Sequence, residues 1–257
     1  MNGKGVYIDK LKNGKENFRA SLTYKQKHIS LGSYKTYDMA NSAYDYAKEL
    51  FLSTLSIEDY LSSCPLKFDK YVEIINLRDN KISFSTPVYL RRTYFSYFYS
   101  PDIEFKFDMD DLFYFSSHKI MKRGNHYFVS DYGSQLSINE RFGIRAFSVV
   151  GKDHVFANED IFDYRRSNVE IINPYFGVRK ENDQYNVVIH VVGDMKVGSY
   201  ETIKEAAIAY NKAADILKMK GVNKNFNTNY LADITNREYA TIYSEITISE
   251  NIINYKL

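Results

Sequence analysis

The residues of this chain best equipped for chemistry are cationic, and many stand near its start. Between Gly3 and Lys35 lie eight basic side chains, Lys4, Lys10, Lys12, Lys15, Arg19, Lys25, Lys27 and Lys35, against Asp9 and Glu16, a balance of +6. The acids that follow, Asp38, Asp45 and Glu49, come where the pattern turns helical. Cations gathered on one side of a small fold neutralise phosphates and release condensed counterions, which dominates affinity for a duplex. The whole chain carries only +2 over 257 residues, so the basicity is local. A second stretch, Pro174 to Tyr200, sets Arg179, Lys180 and Lys196 against Glu181, Asp183 and Asp194 and balances to zero. The first stretch is therefore expected to hold DNA more tightly than the second. With Cys64 the single cysteine, neither a disulfide within the chain nor a paired-cysteine zinc site is possible. The sequence also contains no glycine-rich phosphate loop and no defensible Ser-His-Asp pattern.

The elements that must position these residues occur twice. Gly32-Ser-Tyr34-x-Thr36-x3-Ala40-x2-Ala43-Tyr44-x2-Ala47 returns 166 residues later as Gly198-Ser-Tyr200-x-Thr202-x3-Ala206-x2-Ala209-Tyr210-x2-Ala213, with 8 of 16 positions identical and no gap. Each copy is preceded by a Gly-Val start, Gly5-Val6 and Gly177-Val178, and by alternating runs such as Phe18 to Tyr24 and His28 to Leu31. Period two implies strands with one buried face, and Ala40, Ala43, Tyr44 and Ala47 at i, i+3, i+4 and i+7 imply a helix of small residues lying close on the sheet. Thr36 and Thr202 sit where an N-cap is wanted, and Thr202 to Glu205 has the spacing of a capping box. The expectation is an α+β chain with two modules, each a three-stranded antiparallel sheet and one helix, at 1–55 and 174–231.

This order of signatures resembles the Apetala-two / ethylene-response-factor DNA-binding domain. Phe18-Arg-Ala-Ser-Leu with Ile29-Ser-Leu-Gly is closest to the microbial and viral members that accompany HNH endonucleases, and Gly221 to Asn227 resembles the family's ending. The resemblance implies that the sheet enters the major groove while the helix braces its back. Its base-facing positions fall on Lys4, Tyr7, Asp9, Ser21, Thr23, His28 and Ser30 in the first copy, and on Arg179, Glu181, Val188, His190 and Lys196 in the second. Arg19, Lys25, Lys27 and Lys180 complete the expected DNA contacts. The plant members present several arginines there; this chain offers mostly hydroxyls, acids and histidines, so their GC-rich target does not transfer.

Between the modules, residues 56–100 form an aromatic-rich connection whose Tyr89 to Tyr99 run reads as a buried strand pair, with base stacking as the alternative. From 101 to 173 the chain resembles an HNH-type homing endonuclease domain, carried by Phe107 to Asp111, Tyr127 to Val129, Glu140 to Phe147, Asp153-His154 and Asp163 to Ile171. The resemblance implies Asp153 as a metal-ligand carboxylate, His154 as general base and Asn168 orienting the imidazole. Glu140-Arg141 replaces the opening His-Arg pair, and the helix bearing the last ligand is missing, since Gly177 follows Asn168 within nine residues. A hard cation on one carboxylate is poorly held. The centre therefore reads as degenerate, with no catalytic residue, metal or cofactor expected unless Asp153 still binds magnesium or a similar ion.

Residues 232–257 show alternation over Thr241 to Ile248 that reads as a strand. The expected protein is intracellular, in cytoplasm or nucleus, because Met1 leads almost directly into the first module and leaves no room for a signal peptide. No apolar run reaches membrane-spanning length, so no membrane partner is expected. The Tyr-, Asn-, Lys- and Ile-rich, Trp-free composition suggests an AT-rich viral or phage genome. The function expected is double-stranded DNA binding as a regulator, architectural or accessory factor. A metal-dependent site-specific nicking or homing endonuclease is the first alternative. A protein-interaction or inhibitor role is the second, and the −3 balance of residues 101–173 favours a protein over DNA on that surface.

Overall fold

The computed structural model describes residues 5–10, 15–146 and 148–256. They form an α+β structure built of several small antiparallel sheets and seven helices among the described residues, divided into two compact units. No helix among the described residues is long and apolar enough to cross a membrane.

The first unit holds the described residues up to Leu136 together with Asp160–Arg166. It opens with strands β1 (Val6–Lys10), β2 (Glu16–Tyr24) and β3 (Lys27–Tyr34), in that order in one sheet, and helix α1 (Tyr37–Leu52). Thr36 caps α1 by accepting from the Met39 N–H, which satisfies one of the donors a helix start leaves orphaned. Ala40, Ala43 and Ala47 are fully buried, and their small side chains let α1 settle on Val6, Ala20, Ile29 and Leu31 of the sheet. Helix α2 (Phe68–Asn80) joins the same core through Tyr71, Val72, Ile74, Ile75 and Leu77. Part of the expected connecting region is therefore core. The Tyr89 to Tyr99 run forms a strand pair as read: β4 (Val88–Leu90) pairs with β5 (Tyr94–Ser100), and β6 (Ile103–Asp108) completes the sheet. Helix α3 (Leu112–Phe115) and a sheet of β7 (Ile120–Arg123), β8 (His126–Asp131) and β9 (Ser134–Ser137) follow. Aromatic rings fill this part, Phe107 stacking on Phe115 with centroids 4.1 Å apart and Tyr164 returning against Phe105 and Phe107.

The second unit holds Ser137–Glu159 and the described residues from Ser167 onward. Helix α4 (Ile138–Arg141) leads to the short pair β10 (His154–Phe156) and β11 (Val169–Ile171). The second module is β12 (Val178–Glu181), β13 (Gln184–His190) and β14 (Asp194–Tyr200) with helix α5 (Ile203–Met219), which begins in the expected capping box at Thr202 and Glu205. The two modules share fine detail. Each has a bulge in its third strand, where Leu31 and Val197 are the extra residues facing the Ala20–Ser21 and Val187–Val188 steps of the middle strand. In each, the N–H of the middle-strand residue just past that step donates to the carbonyl of the leading glycine at 2.8 Å, Ser21 to Gly5 and Val188 to Gly177.

The strand expected over Thr241 to Ile248 is a helix instead, α6 (Asn236–Glu245), followed by α7 (Glu250–Ile253). Tyr239, Ile242, Tyr243 and Ile246 stand at i, i+3, i+4 and i+7 and pack on the core under α5, so helical spacing prevails over the apparent alternation.

Candidate nucleic-acid interface

Register decides which side chains share the face of the first sheet that α1 leaves open. Directly opposed residues point the same way. Tyr7 pairs with Arg19 and Arg19 with Ser33, Asp9 pairs with Asn17, Ser21 with Ser30, and Thr23 with His28. Opposite them, Val6, Ala20, Ile29 and Leu31 are buried. Arg19 Nη2 lies 2.8 Å from Asp9 Oδ2 in a solvent-exposed ion pair, which contributes little to stability. Tyr7, Thr23, His28, Ser30 and Ser33 are exposed, and their side chains make no hydrogen bond among the described residues. The face therefore offers three strands of hydroxyls, an imidazole and a guanidinium to an outside partner.

Several expected contacts are placed differently. Ser21 is only 9% exposed. Lys27 opposes Tyr24, whose ring stacks on Phe51 of α1, so its Cα stands in register with the packed side. Lys180 likewise opposes Tyr185, its Nζ 5.8 Å from that ring centroid. Lys25 lies in the two-residue hairpin turn with Gln26, both at positive φ, its Nζ 5.5 Å from the Tyr24 ring. Lys4 and Lys12 lie outside the described residues. The +6 balance is thus not spread over the open face: Arg19 stands on it and Lys25 at its hairpin end.

The second open face carries polar groups that pair with one another and one exposed cation, Lys196, without a partner among the described residues. Asn186 Nδ2 donates to Glu181 Oε2 at 2.6 Å, Ser199 Oγ donates to Asn186 Oδ1, and His190 Nδ1 lies 2.8 Å from Asp194 Oδ1. Lys196 opposes Val188, the half-buried counterpart of Ser21. The segment before β10 borders this face, and a cavity is lined by Arg145, Ser148 and Asp153 on one side and Arg179, Val188 and His190 on the other.

The structure brings Asp153 and His154 together but gives them other work than the resemblance implies. Asp153 is 5% exposed; Oδ2 accepts from the Val149 N–H and Oδ1 from Asn173 Nδ2, each at 2.8 Å. The same Asn173 Nδ2 donates to the Val178 carbonyl at 2.9 Å, and the Asp153 carbonyl accepts from the Ile172 and Asn173 N–H groups. Asp153 thus ties the loop before β10 to the first strand of the second module. His154 is 4% exposed, and burial holds its pKa below the usual histidine value against the pull of the Asp153 charge. Its Nδ1 lies 2.8 Å from Ser148 Oγ, not on Asn168. Asn168 lies three residues down the ladder from Ile171, the partner of His154, roughly 10 Å away, and its Oδ1 accepts from the Asn158 N–H.

Both Asp153 oxygens already accept hydrogen bonds, and no three His, Cys, Asp or Glu side chains gather among the described residues as a metal's ligands would. Sequence reasoning missed Ser148, Asn173 and Arg145. None carries a local signal, because each acquires its role from a partner that the fold supplies. Comparison of the chain with protein-family models, with curated proteins and with solved structures finds no match.

Proposed function

We propose that the chain binds double-stranded DNA, laying the open face of its first sheet against a groove while α1 braces the sheet from behind. The observation that carries this reading is the contrast between two otherwise parallel faces. Asn186, Ser199 and His190 of the second are engaged within that face, which leaves Lys196 as its exposed cation, whereas Tyr7, Thr23, His28, Ser30 and Ser33 of the first are exposed and unpaired among the described residues. Donors and acceptors on a rigid strand surface suit base edges, and Arg19 and Lys25 suit the flanking phosphates. The resemblance of the duplicated module to Apetala-two domains supports the same reading, as does the local excess of cations. The chain acts by occupying DNA.

The test is fluorescence anisotropy of a random-sequence duplex across a salt series. Replacing Arg19, Thr23 and His28 together by Ala is expected to weaken binding to this duplex about tenfold and to lower the salt slope by about one, as loss of the Arg19 phosphate contact requires. Lys180→Ala, on the packed side of the second sheet, is expected to leave affinity unchanged. Full-strength binding by the triple variant removes the first sheet from the interface.

A further inference from the structure

The zero balance of the second sheet counts only residues of its own stretch. The fold adds another cation. Arg145, from the segment between α4 and β10, lines the same cavity as Arg179, Val188 and His190 of the second open face. Its side chain is held at two points: Nε donates to the Pro174 carbonyl at 3.0 Å, and the guanidinium carbon sits 4.1 Å from the centroid of the Phe176 ring. A guanidinium stacked on a ring and anchored through Nε has already given up much of its side-chain freedom. Its two terminal amino groups have no hydrogen-bond partner among the described residues, so they stand as a fixed pair of donors. The carboxylates of the cavity are directed elsewhere, Asp153 to Val149 and Asn173, and Asp194 to His190.

We propose that Arg145 is a phosphate-binding residue, a pre-oriented fork for one phosphodiester at the rim of the second sheet. The proposal rests on the DNA-binding reading and deepens it: the second module gains a phosphate contact from outside its own strands, in addition to the exposed Lys196 of β14. A planar fork matches two phosphate oxygens at once, whereas an ammonium meets them as a point charge. Arginine at this position is thus not replaceable by lysine.

Two measurements separate this proposal from the reading beneath it. The full chain, labelled with 15N-arginine, is titrated with dimethyl phosphate and followed through its Nε–H signals, the Arg145 signal being assigned by its loss in Arg145→Lys. A saturable shift of that signal is expected; an unmoved signal in the wild type overturns the proposal whether or not the chain binds DNA. In the duplex salt series, Arg145→Gln is expected to lower the slope of log affinity against log salt by about one. Arg145→Lys is expected to keep the slope and bind more weakly, with an unchanged thermal midpoint showing that the fold is intact. If Arg145→Gln keeps the wild-type slope and affinity while the first-sheet triple variant loses them, the Arg145 proposal fails and the DNA reading stands. If the wild type binds no duplex, the DNA reading fails, and the diester titration alone decides Arg145.

Discussion

Asp153 shows how a residue can be conspicuous in the sequence for one reason and serve the fold for another. An adjacent Asp and His suggest a nuclease centre by resemblance, yet the carboxylate is 5% exposed and consumed by Val149 and Asn173. Removing it costs the Asn173 amide, which keeps only the Val178 carbonyl, one acceptor and leaves the partly buried Val149 N–H without one. Asp153→Ala is therefore expected to destabilise the second unit by about 2–4 kcal/mol, read as a fall in its urea midpoint, with Asn173→Ala producing a comparable loss. His154 adds a pH dependence of definite sign. Its folded pKa lies below the ordinary value of about 6.5 because burial disfavours the imidazolium. The unfolded chain then binds more protons, so this contribution is present above that pH and is lost as the pH falls through it toward the folded value. The thermal midpoint of the second unit should drop between pH 7.5 and 5, and the drop should shrink in His154→Gln. The role expected for Asn168 failed for a reason no spacing rule reveals. Strand register, set by the pairing of His154 with Ile171, carries it past the imidazole.

At the scale of elements, the duplicated module was largely legible, because its residues answer to local rules. Strand alternation, the threonine caps and the alanine stripe each depend on neighbours within a few positions. The repeat also couples positions far apart in sequence. A Cβ on Gly5 would lie 2.1 Å from the Tyr44 ring, and one on Gly177 would lie 2.4 Å from both the Tyr210 ring and the Val188 carbonyl. Both glycines have φ in the left-handed region, +88° and +70°, so each copy keeps a glycine where strand, bulge and helix meet. Gly177→Ala should cost roughly 2–3 kcal/mol of stability, measured by denaturant unfolding; a neutral result means that the Tyr210 ring and the Val188 carbonyl both yield without penalty. Helix α2 was not legible, since Tyr71, Val72, Ile74, Ile75 and Leu77 bury nearly all round it and leave no stripe to detect. Helix α6 was misread because Ile242, Ser244 and Ile246 imitate alternation, while the packing follows Tyr239, Ile242, Tyr243 and Ile246.

For the whole molecule, the lesson concerns charge and catalysis, two properties that sequence totals describe poorly. The expected segregation of cations onto the first open face is only partial: register takes Lys27 to the packed side, while the fold places Arg145 beside the nominally neutral second face. What the chain does to DNA, as distinct from whether it binds it, turns on the centre around His154. A histidine kept neutral by burial, with Nε2 lacking a partner among the described residues, retains the protonation state of a general base. Hydrolysis of a phosphodiester by that route also needs charge stabilisation at the phosphate, and both oxygens of Asp153 are engaged by Val149 and Asn173. Occupancy without cleavage is the expected behaviour. Supercoiled plasmid incubated with the chain and either magnesium or manganese should stay supercoiled at concentrations where anisotropy shows the duplex saturated. Metal-dependent nicking that vanishes in His154→Ala while binding persists would make the chain an endonuclease. It would require Asp153 to release Val149 or Asn173 when metal arrives, and the Asp153→Asn variant, which keeps an acceptor for one donor but loses the charge, would then abolish nicking as well.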